Sequence, residues 1–269
     1  TTEIYTLSLH DALPISPLCS QSGTFMHITR SLPIALLLSA ASLAFASNVG
    51  KDRGIEKTSW VDPLTRVRVW QMTGPRFQAS TLYFHFPNVT RDGRFLLFTS
   101  ERTGSRQLFR MSLPDGRIVQ LTDSPNVADL VPDHTQPSRI YYQRGRDILA
   151  LDIVTFQERF VATVPAGGDL TLSGDGQWIS LKRHLDDNNS EVCAVNTRTG
   201  EFKVVVRTGF HIGHVQFSPA EPLLFLAWET SDYAPQRSWL VNLDGSRLRP
   251  FYYRLDRKDW FSPTKEIVT

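Results

Sequence analysis

The sequence is almost without cysteine, which excludes a fold held together by disulfide bonds. Only Cys19 and Cys193 occur in the 269 residues. Cys19 precedes the expected start of the protein, so the mature chain keeps one thiol, and one thiol forms no intrachain bridge. Cys193 lies in an apolar run and is expected to behave as a small buried side chain. The fold must therefore depend on the packing of its secondary structure.

Concentrated charge and generic catalytic motifs are also lacking. Lys and Arg total 29 against 27 Asp and Glu, a net charge of +2, and the arginines are scattered along the chain. No basic tract is interleaved with aromatics, so no nucleic-acid partner is expected. A Gly-x-Ser-x-Gly nucleophile elbow, a phosphate-binding glycine loop and a paired-cysteine metal site are absent. The small positive excess is compatible with an acidic ligand.

Long apolar runs are rare, and the run from Leu32 to Leu38 has the surroundings of an export signal. Met26 is the expected start, a weakly basic segment to Arg30 follows it, and Ala44-Phe45-Ala46 supplies the small-x-small pattern for cleavage before Ser47. The run is too short for a membrane span. We expect an exported, periplasmic protein with no membrane attachment after cleavage.

The first residues are interpreted as a non-native leader. The stretch from Tyr5 to Ile15 matches the translation of a common sequencing-library adapter, which indicates an assembly artefact. The predicted organisation is a leader at residues 1–25, adapter-derived over 1–15, then a signal peptide at 26–46 and one repeat-containing region at 47–269.

What the sequence has in quantity is short apolar runs separated by turns. In the stretch from Phe86 to Thr122, turns are expected at Asp92-Gly93 and at Pro114-Asp115-Gly116, because glycine supplies the positive φ of a tight hairpin at little cost. The predicted strands of this unit are Phe86–Thr90, Phe95–Phe98, Leu108–Met111 and Ile118–Leu121.

The unit repeats with a period of about 40 to 45 residues, which is typical of propeller blades. The turn between its first two strands recurs at Asp92-Gly93, Asp133, Asp175-Gly176, Ser218-Pro219 and Ser262-Pro263. Further units are predicted at Val127 to Val164, Asp169 to Val206 and His214 to about Tyr253. We therefore predict an all-β fold, a β-propeller with about four four-stranded blades.

Four blades are fewer than most single-chain propellers use, so residues 47–269 are interpreted as a fragment of a longer, truncated reading frame. A strand at Val67 to Trp70 is expected to complete a blade whose other strands lie outside this chain. It would then be an unpaired edge.

Two segments resemble the oligogalacturonate lyase family. Gly213-His214 through Ser218-Pro219, followed by the run from Arg237 to Ser246, is similar to a blade of that family with a Gly-His strand start and an Arg-x-Trp-Leu-Val-Asn-x-Asp-Gly-Ser run. The first unit agrees through Thr90-x-Asp92-Gly93 and Leu96-Leu97-Phe98, pieces that Tol-system propellers share. The resemblance spans roughly Trp60 to Asn242.

The resemblance implies a seven-bladed propeller that cleaves short unsaturated pectin oligosaccharides by β-elimination, with manganese on the substrate carboxylate. The C5 proton becomes acidic when that carboxylate is neutralised, and a base must lie within reach of it. Arg237 matches the neutralising arginine, and His214 is expected to help bind the substrate. The implied partner is an acidic uronate oligosaccharide. The manganese ligands are expected outside this chain, and the full-length protein is expected to be a monomer.

The sequence departs from the family pattern at the residue that accepts the C5 proton. The family reads Thr-His-Glu-Phe-Trp-x-Pro where this chain reads Arg257-Lys258-Asp259-Trp260-Phe261-Ser262-Pro263, so Lys258 stands in the place of the catalytic histidine. A lysine with a lowered pKa can serve as a base. Arg237 and Lys258 are therefore the candidate catalytic residues, and the 269-residue chain alone is expected to be inactive.

Two other classes stay open, a non-catalytic periplasmic Tol-type scaffold and the propeller cap of a serine peptidase. The sequence downstream would separate them, because a histidine cluster with a glutamine favours the lyase and a nucleophile elbow favours the peptidase. His211 and His214 have a metal-like spacing, but an extended chain points such positions to opposite faces, so no metal is expected there. His184 is expected to be a solvated loop residue.

We predict that the exported protein begins at Ser47, because cleavage follows the small-x-small pattern of residues 44–46. The intact mass of the protein recovered from the periplasm measures this. In genomic DNA prepared without the adapter, the codons for Tyr5 to Ile15 should be missing. Finding those codons, or a mature N-terminus upstream of Ser47, would contradict the interpretation.

Overall fold

A computed structural model describes residues 47–83, 86–165, 167–229 and 236–252. All regular elements in these ranges are β-strands, and no helix there is long and apolar enough to cross a membrane. The strands are β1 Asp52–Ile55, β2 Thr58–Val61, β3 Arg68–Gln71, β4 Ala79–Ser80, β5 Phe95–Ser100, β6 Gln107–Ser112, β7 Arg117–Gln120, β8 Val127–Pro132, β9 Arg139–Arg144, β10 Asp147–Asp152, β11 Glu158–Thr163, β12 Gly168–Leu172, β13 Trp178–His184, β14 Ser190–Asn196, β15 Phe202–Thr208, β16 Ile212–Phe217, β17 Leu223–Trp228, β18 Ser238–Asn242 and β19 Arg249–Pro250.

Four antiparallel sheets follow one another along the chain, and each is a propeller blade. Blade 1 has the order β1-β7-β6-β5-β4, blade 2 runs from β8 to β11, blade 3 from β12 to β15, and blade 4 from β16 to β19. Consecutive four-stranded meanders are the building unit of a propeller. The predicted all-β propeller fold is confirmed, and the units predicted to start at Val127, Asp169 and His214 match blades 2 to 4.

Blade 1 differs from its prediction at both edges. Its inner strand is β4, whereas the predicted strand at Phe86–Thr90 contributes a single bridge from Val89 to Leu96. Pro87 lacks the amide hydrogen that a continuous ladder would need. At the outer edge β1 pairs with β7, which makes blade 1 five-stranded. A segment that precedes the first repeat therefore extends the blade.

The expectation of an unpaired strand at Val67 to Trp70 is wrong. Strand β3 pairs with β2 in a local antiparallel hairpin. Asp62 stabilises the connecting turn by accepting hydrogen bonds from the amides of Leu64 and Thr65, at 3.0 and 2.7 Å. The hairpin still leaves Trp60 and Trp70 about half exposed, at 48% and 52%.

The blades are held together by apolar side chains on both faces of each sheet. Adjacent residues of a strand point to opposite faces, so Tyr141 packs in the cluster that joins blades 2 and 3, and Tyr142 packs in the cluster that joins blades 1 and 2. Cys193 belongs to the first of these clusters and is fully buried, as the sequence predicted. Burial raises the pKa of its thiol to about 12, so the thiol is protonated.

The repeated turn has the same hydrogen bonds in blades 1 and 3. The hydroxyl of Thr90 donates to Asp92, and that of Ser173 donates to Asp175, each at 2.6 Å. Both turn glycines have a φ of 70°. In blade 2 the amide of Asp133 makes the hydrogen bond across the turn that the amide of Ser173 makes in blade 3. Asp133 therefore corresponds to Ser173, which is two positions before Asp175. The predicted fifth turn, at residues 262–263, lies outside the described residues.

We predict that Gly174→Ala destabilises the fold, because a Cβ at Gly174 would overlap the backbone carbonyl of Pro219 in blade 4. Overpacking against backbone that cannot move aside should lower the free energy of unfolding by about 2 kcal/mol. Gly209→Ala is the matched control, since nothing lies within 4 Å of its Cβ position, and it should change stability by less than about 0.5 kcal/mol. Chemical denaturation measures both variants. Equal effects would contradict this role of the blade contact.

Candidate functional site

The inner strands of blades 2, 3 and 4 each carry a bulge, within one residue of the same position. The register shifts between Val127 and Leu130, between Gly168 and Thr171, and between Gly213 and Gln216. A bulge redirects a side chain out of the regular alternation of the strand. The corresponding bulge residues are Asp129, Asp169 and His214.

The bulge side chains line a cleft of about 710 Å³. Asp169 and His214 have positive φ values of 58° and 50°, which side chains other than glycine adopt rarely. The acidic and basic side chains that line the cleft are Arg106, Asp129, Asp169, Lys182, His214 and Glu229. The repeat thus places three bulge residues and their neighbours around one polar cavity.

His214 is oriented by a carboxylate and by an aromatic ring. Its Nε2 atom lies 2.9 Å from Oε1 of Glu229, and its ring stacks on Tyr83 at 5.5 Å between centroids. A Cβ at Gly213 would overlap the Glu229 carboxylate. The Gly-His pair of the sequence therefore has two separate uses, because the glycine leaves room for Glu229 and the histidine lines the cleft.

A second set of charged side chains in the cleft connects blades 2 and 3. Lys182 Nζ lies 2.8 Å from Oδ2 of Asp169, and the amide of Asp169 donates to Oδ2 of Asp129 at 2.9 Å. Sequence reasoning missed these three residues. The offset from the repeated turn, which Asp129 and Asp169 share with His214, could have found those two residues, whereas nothing local marks Lys182.

Arg237 lies at the end of blade 4 where the inner strand begins. Its carbonyl oxygen accepts a hydrogen bond from the amide of Trp228 at 2.7 Å. Glu229, which follows Trp228, donates its amide hydrogen to the carbonyl of His211 at 2.9 Å. The Arg237 side chain is exposed and is not among the described residues that line the cleft. The structure thus brings Arg237 and His214 to the same end of one blade. Lys258 lies outside the described residues.

His211 and His184 stack on each other rather than facing a shared ion. Their ring centroids are 3.8 Å apart with an interplanar angle of 4°, and Nδ1 of His184 lies 3.1 Å from the hydroxyl of Ser190. His184 is exposed, as expected of a solvated residue, but it ends strand β13 instead of lying in a loop, and its ring contacts His211 and Ser190. Partial desolvation lowers the pKa of His184, and the nearby charges of His211 and Lys182 lower it further.

The described residues do not fit a manganese site. Across ranges 47–83, 86–165, 167–229 and 236–252, no group of three His, Cys, Asp or Glu side chains is arranged to hold a metal ion. The carboxylates of the cleft are engaged instead, Asp169 by Lys182 and Glu229 by His214. The manganese expected from the resemblance is thus assigned no ligand among these residues.

The sheets and the cleft define a β-propeller protein with a cavity that is lined by ionisable side chains of its bulged inner strands. In sequence the chain is similar to oligogalacturonate lyases. It is 24% identical over 229 residues to the curated oligogalacturonate lyase of Dickeya dadantii, a match that covers 74% of this chain and 58% of the relative. No family model matches the chain.

Two solved structures share the fold. One is an oligogalacturonate lyase in complex with manganese, at a TM-score of 0.68 and 23% identity, covering 76% of this chain and 61% of the other. The second is an oligogalacturonate lyase from Vibrio parahaemolyticus, at a TM-score of 0.70 and 22% identity, covering 77% and 62%. The chain therefore spans about three fifths of the length of these relatives.

We predict that His184 makes stability depend on pH. Because its pKa is lowered in the folded state, the unfolded chain binds the proton first as the pH falls below about 6.5, and stability is lost toward acid. The melting temperature of the wild type should fall more than that of His184→Gln between about pH 7.5 and about pH 5.5. Thermal denaturation at a series of pH values measures the difference. Parallel curves would contradict the predicted linkage.

Proposed function

We propose that the protein, expressed from its complete gene, is an oligogalacturonate lyase-like enzyme that cleaves short unsaturated uronate oligosaccharides by β-elimination in pectin breakdown. The observation that carries the proposal is the oriented His214–Glu229 pair in the cleft. It lies at the Gly-His strand start by which the sequence resembles the lyases. The periplasmic location and monomeric state expected from the sequence belong to the same proposal.

The described residues offer the contacts that a sugar acid needs. The carboxylates of Asp129 and Asp169 line the cleft and can accept hydrogen bonds from sugar hydroxyls. Tyr83, which is half exposed and stacks on His214, lines the same cavity. We assign to Arg237 the uronate carboxylate at the reacting sugar, because a guanidinium can hold a carboxylate through two parallel hydrogen bonds.

The elimination itself moves one proton and one electron pair. A base removes the C5 proton, the electrons form the C4–C5 double bond, and the C4–O bond breaks with its electron pair on the leaving sugar oxygen, which then takes up a proton. Neutralising the adjacent carboxylate lowers the barrier, because negative charge develops on it in the transition state. We propose Lys258 as the base from its place in the resemblance. No step is assigned to manganese, because the described residues do not fit it.

We predict that Arg237→Ala removes most of the elimination activity. Losing a charge-assisted pair in the transition state costs about 3 kcal/mol, on the order of a hundredfold in rate. Arg237→Lys should restore little, since an ammonium cannot reproduce the planar two-bond contact. The assay is the absorbance of the unsaturated product released from digalacturonate, with and without added manganese.

Arg198→Ala is the matched control. Arg198 is also exposed, but it borders a different cavity, beside the turns of blades 2 and 3, so its loss should leave the rate within about twofold. If the wild type eliminates no uronate oligomer, or if Arg237→Ala keeps the wild-type rate, the non-catalytic binding propeller becomes the better account.

A further inference from the structure

The basic groups of the cleft differ in whether the protein already neutralises them. Lys182 is paired with Asp169 at 2.8 Å, and His214 is paired with Glu229 at 2.9 Å. Arg106 is exposed, and within the part of the chain that the structure describes no hydrogen bond or ion pair engages its guanidinium. The positive charge of the cleft that is left for a ligand is therefore concentrated on Arg106.

The backbone that carries Arg106 is fixed by a buried side chain. The next residue, Gln107, is 2% exposed and begins strand β6. Its Nε2 donates to the carbonyl of Ser124 and to the hydroxyl of Ser105, each at 2.9 Å, and its Oε1 accepts the hydroxyl hydrogen of Thr122 at 2.8 Å. Because the backbone at Arg106 is held in place, its side chain loses less conformational freedom on binding than an arginine on a mobile loop would.

Arg106 also lies at a position that is equivalent in two blades of the propeller. It directly precedes the third strand of blade 1, as Arg237 precedes the third strand of blade 4. In each blade this point lies on the loop between the second and third strands, at the end where the inner strand begins. Arg106 and Arg237 are therefore presented by corresponding loops of two blades, and Arg106 lines the cleft that contains His214.

An oligouronate carries one carboxylate on every sugar, and one guanidinium can hold one of them. We propose that Arg106 binds a second substrate carboxylate, on a different sugar from the one assigned to Arg237, and so sets the preference for uronate over neutral or esterified oligomers. The inference rests on the proposed function, because it names the group that recognises the charge of that substrate. Arg106 is a specificity-determining residue, while the elimination step stays with Arg237 and Lys258.

The test compares two ligands of equal length, trigalacturonate and its fully methyl-esterified form, on the protein expressed from its complete gene. Arg106→Gln should weaken the affinity for the free acid by about tenfold and leave that for the ester within about twofold. Raising the ionic strength from about 0.05 M to about 0.5 M should weaken acid binding by the wild type more than by the variant. Arg106→Lys should keep part of the affinity, because the charge remains.

Arg117→Gln is the matched control. It removes one charge from the same blade, but Arg117 lies on the outer strands and pairs there with Asp52. Titration calorimetry gives Kd, and absorbance of the unsaturated product on the same sample shows whether turnover occurs, in which case KM replaces Kd. A circular dichroism melt confirms that both variants fold.

The outcomes separate this inference from the lyase proposal. If no product forms but Arg106→Gln selectively weakens binding of the acid, the carboxylate site at Arg106 is supported and the lyase proposal is rejected. If elimination occurs and Arg106→Gln changes neither the acid affinity nor its salt dependence, the inference about Arg106 is overturned. Equal weakening of the acid and the ester would also overturn it, because the side chain would then act through shape and not through charge.

Discussion

The face-to-face packing of blades is the interaction on which the rest of the structure depends. A single four-stranded sheet cannot cover both of its apolar faces, so each blade needs a neighbour on either side. Tyr141 and Tyr142 show the consequence, since adjacent residues of one strand fill two different interfaces. Gly174 shows how closely the blades approach, because its missing Cβ is what admits the carbonyl of Pro219. With one thiol, buried in such an interface, the described chain has no covalent substitute for this packing.

The same packing makes the inner strands a rigid support for polar side chains. Bulges at corresponding points of blades 2, 3 and 4 turn Asp129, Asp169 and His214 into one cavity. Two of these residues have positive φ values that a regular strand does not use. Unusual backbone of this kind persists where surrounding structure holds it, and it is common beside binding sites. The chemistry of the cleft is therefore built on the repeat itself.

Charge within the cavity is largely compensated by internal pairs. Lys182 and His214 each have a carboxylate partner close by, which orients them at the expense of their availability to a ligand. Arg106 differs, because it is exposed and no described hydrogen bond or ion pair engages its guanidinium. Arg106 and Arg237 both lie on loops that precede a third strand. In the proposed function, recognition of an acidic sugar falls to the loops, whereas the strands supply fixed geometry. This division is common in proteins that bind ligands on a rigid scaffold.

The sequence by itself determined the all-β propeller class, the spacing of blades 2 to 4 and the burial of Cys193, because turn residues and apolar alternation are local signals that recur with the repeat. It also marked His214 and Arg237 through a local motif. Only the tertiary structure decided that β1 extends blade 1, that β3 pairs with β2, and that Glu229, Asp169 and Lys182 join His214 in one cavity. These outcomes depend on strand pairing and on contacts between residues tens of positions apart. The repeat can mark a position such as Asp169, but the contacts themselves form only when the blades pack, so the sequence alone does not show them.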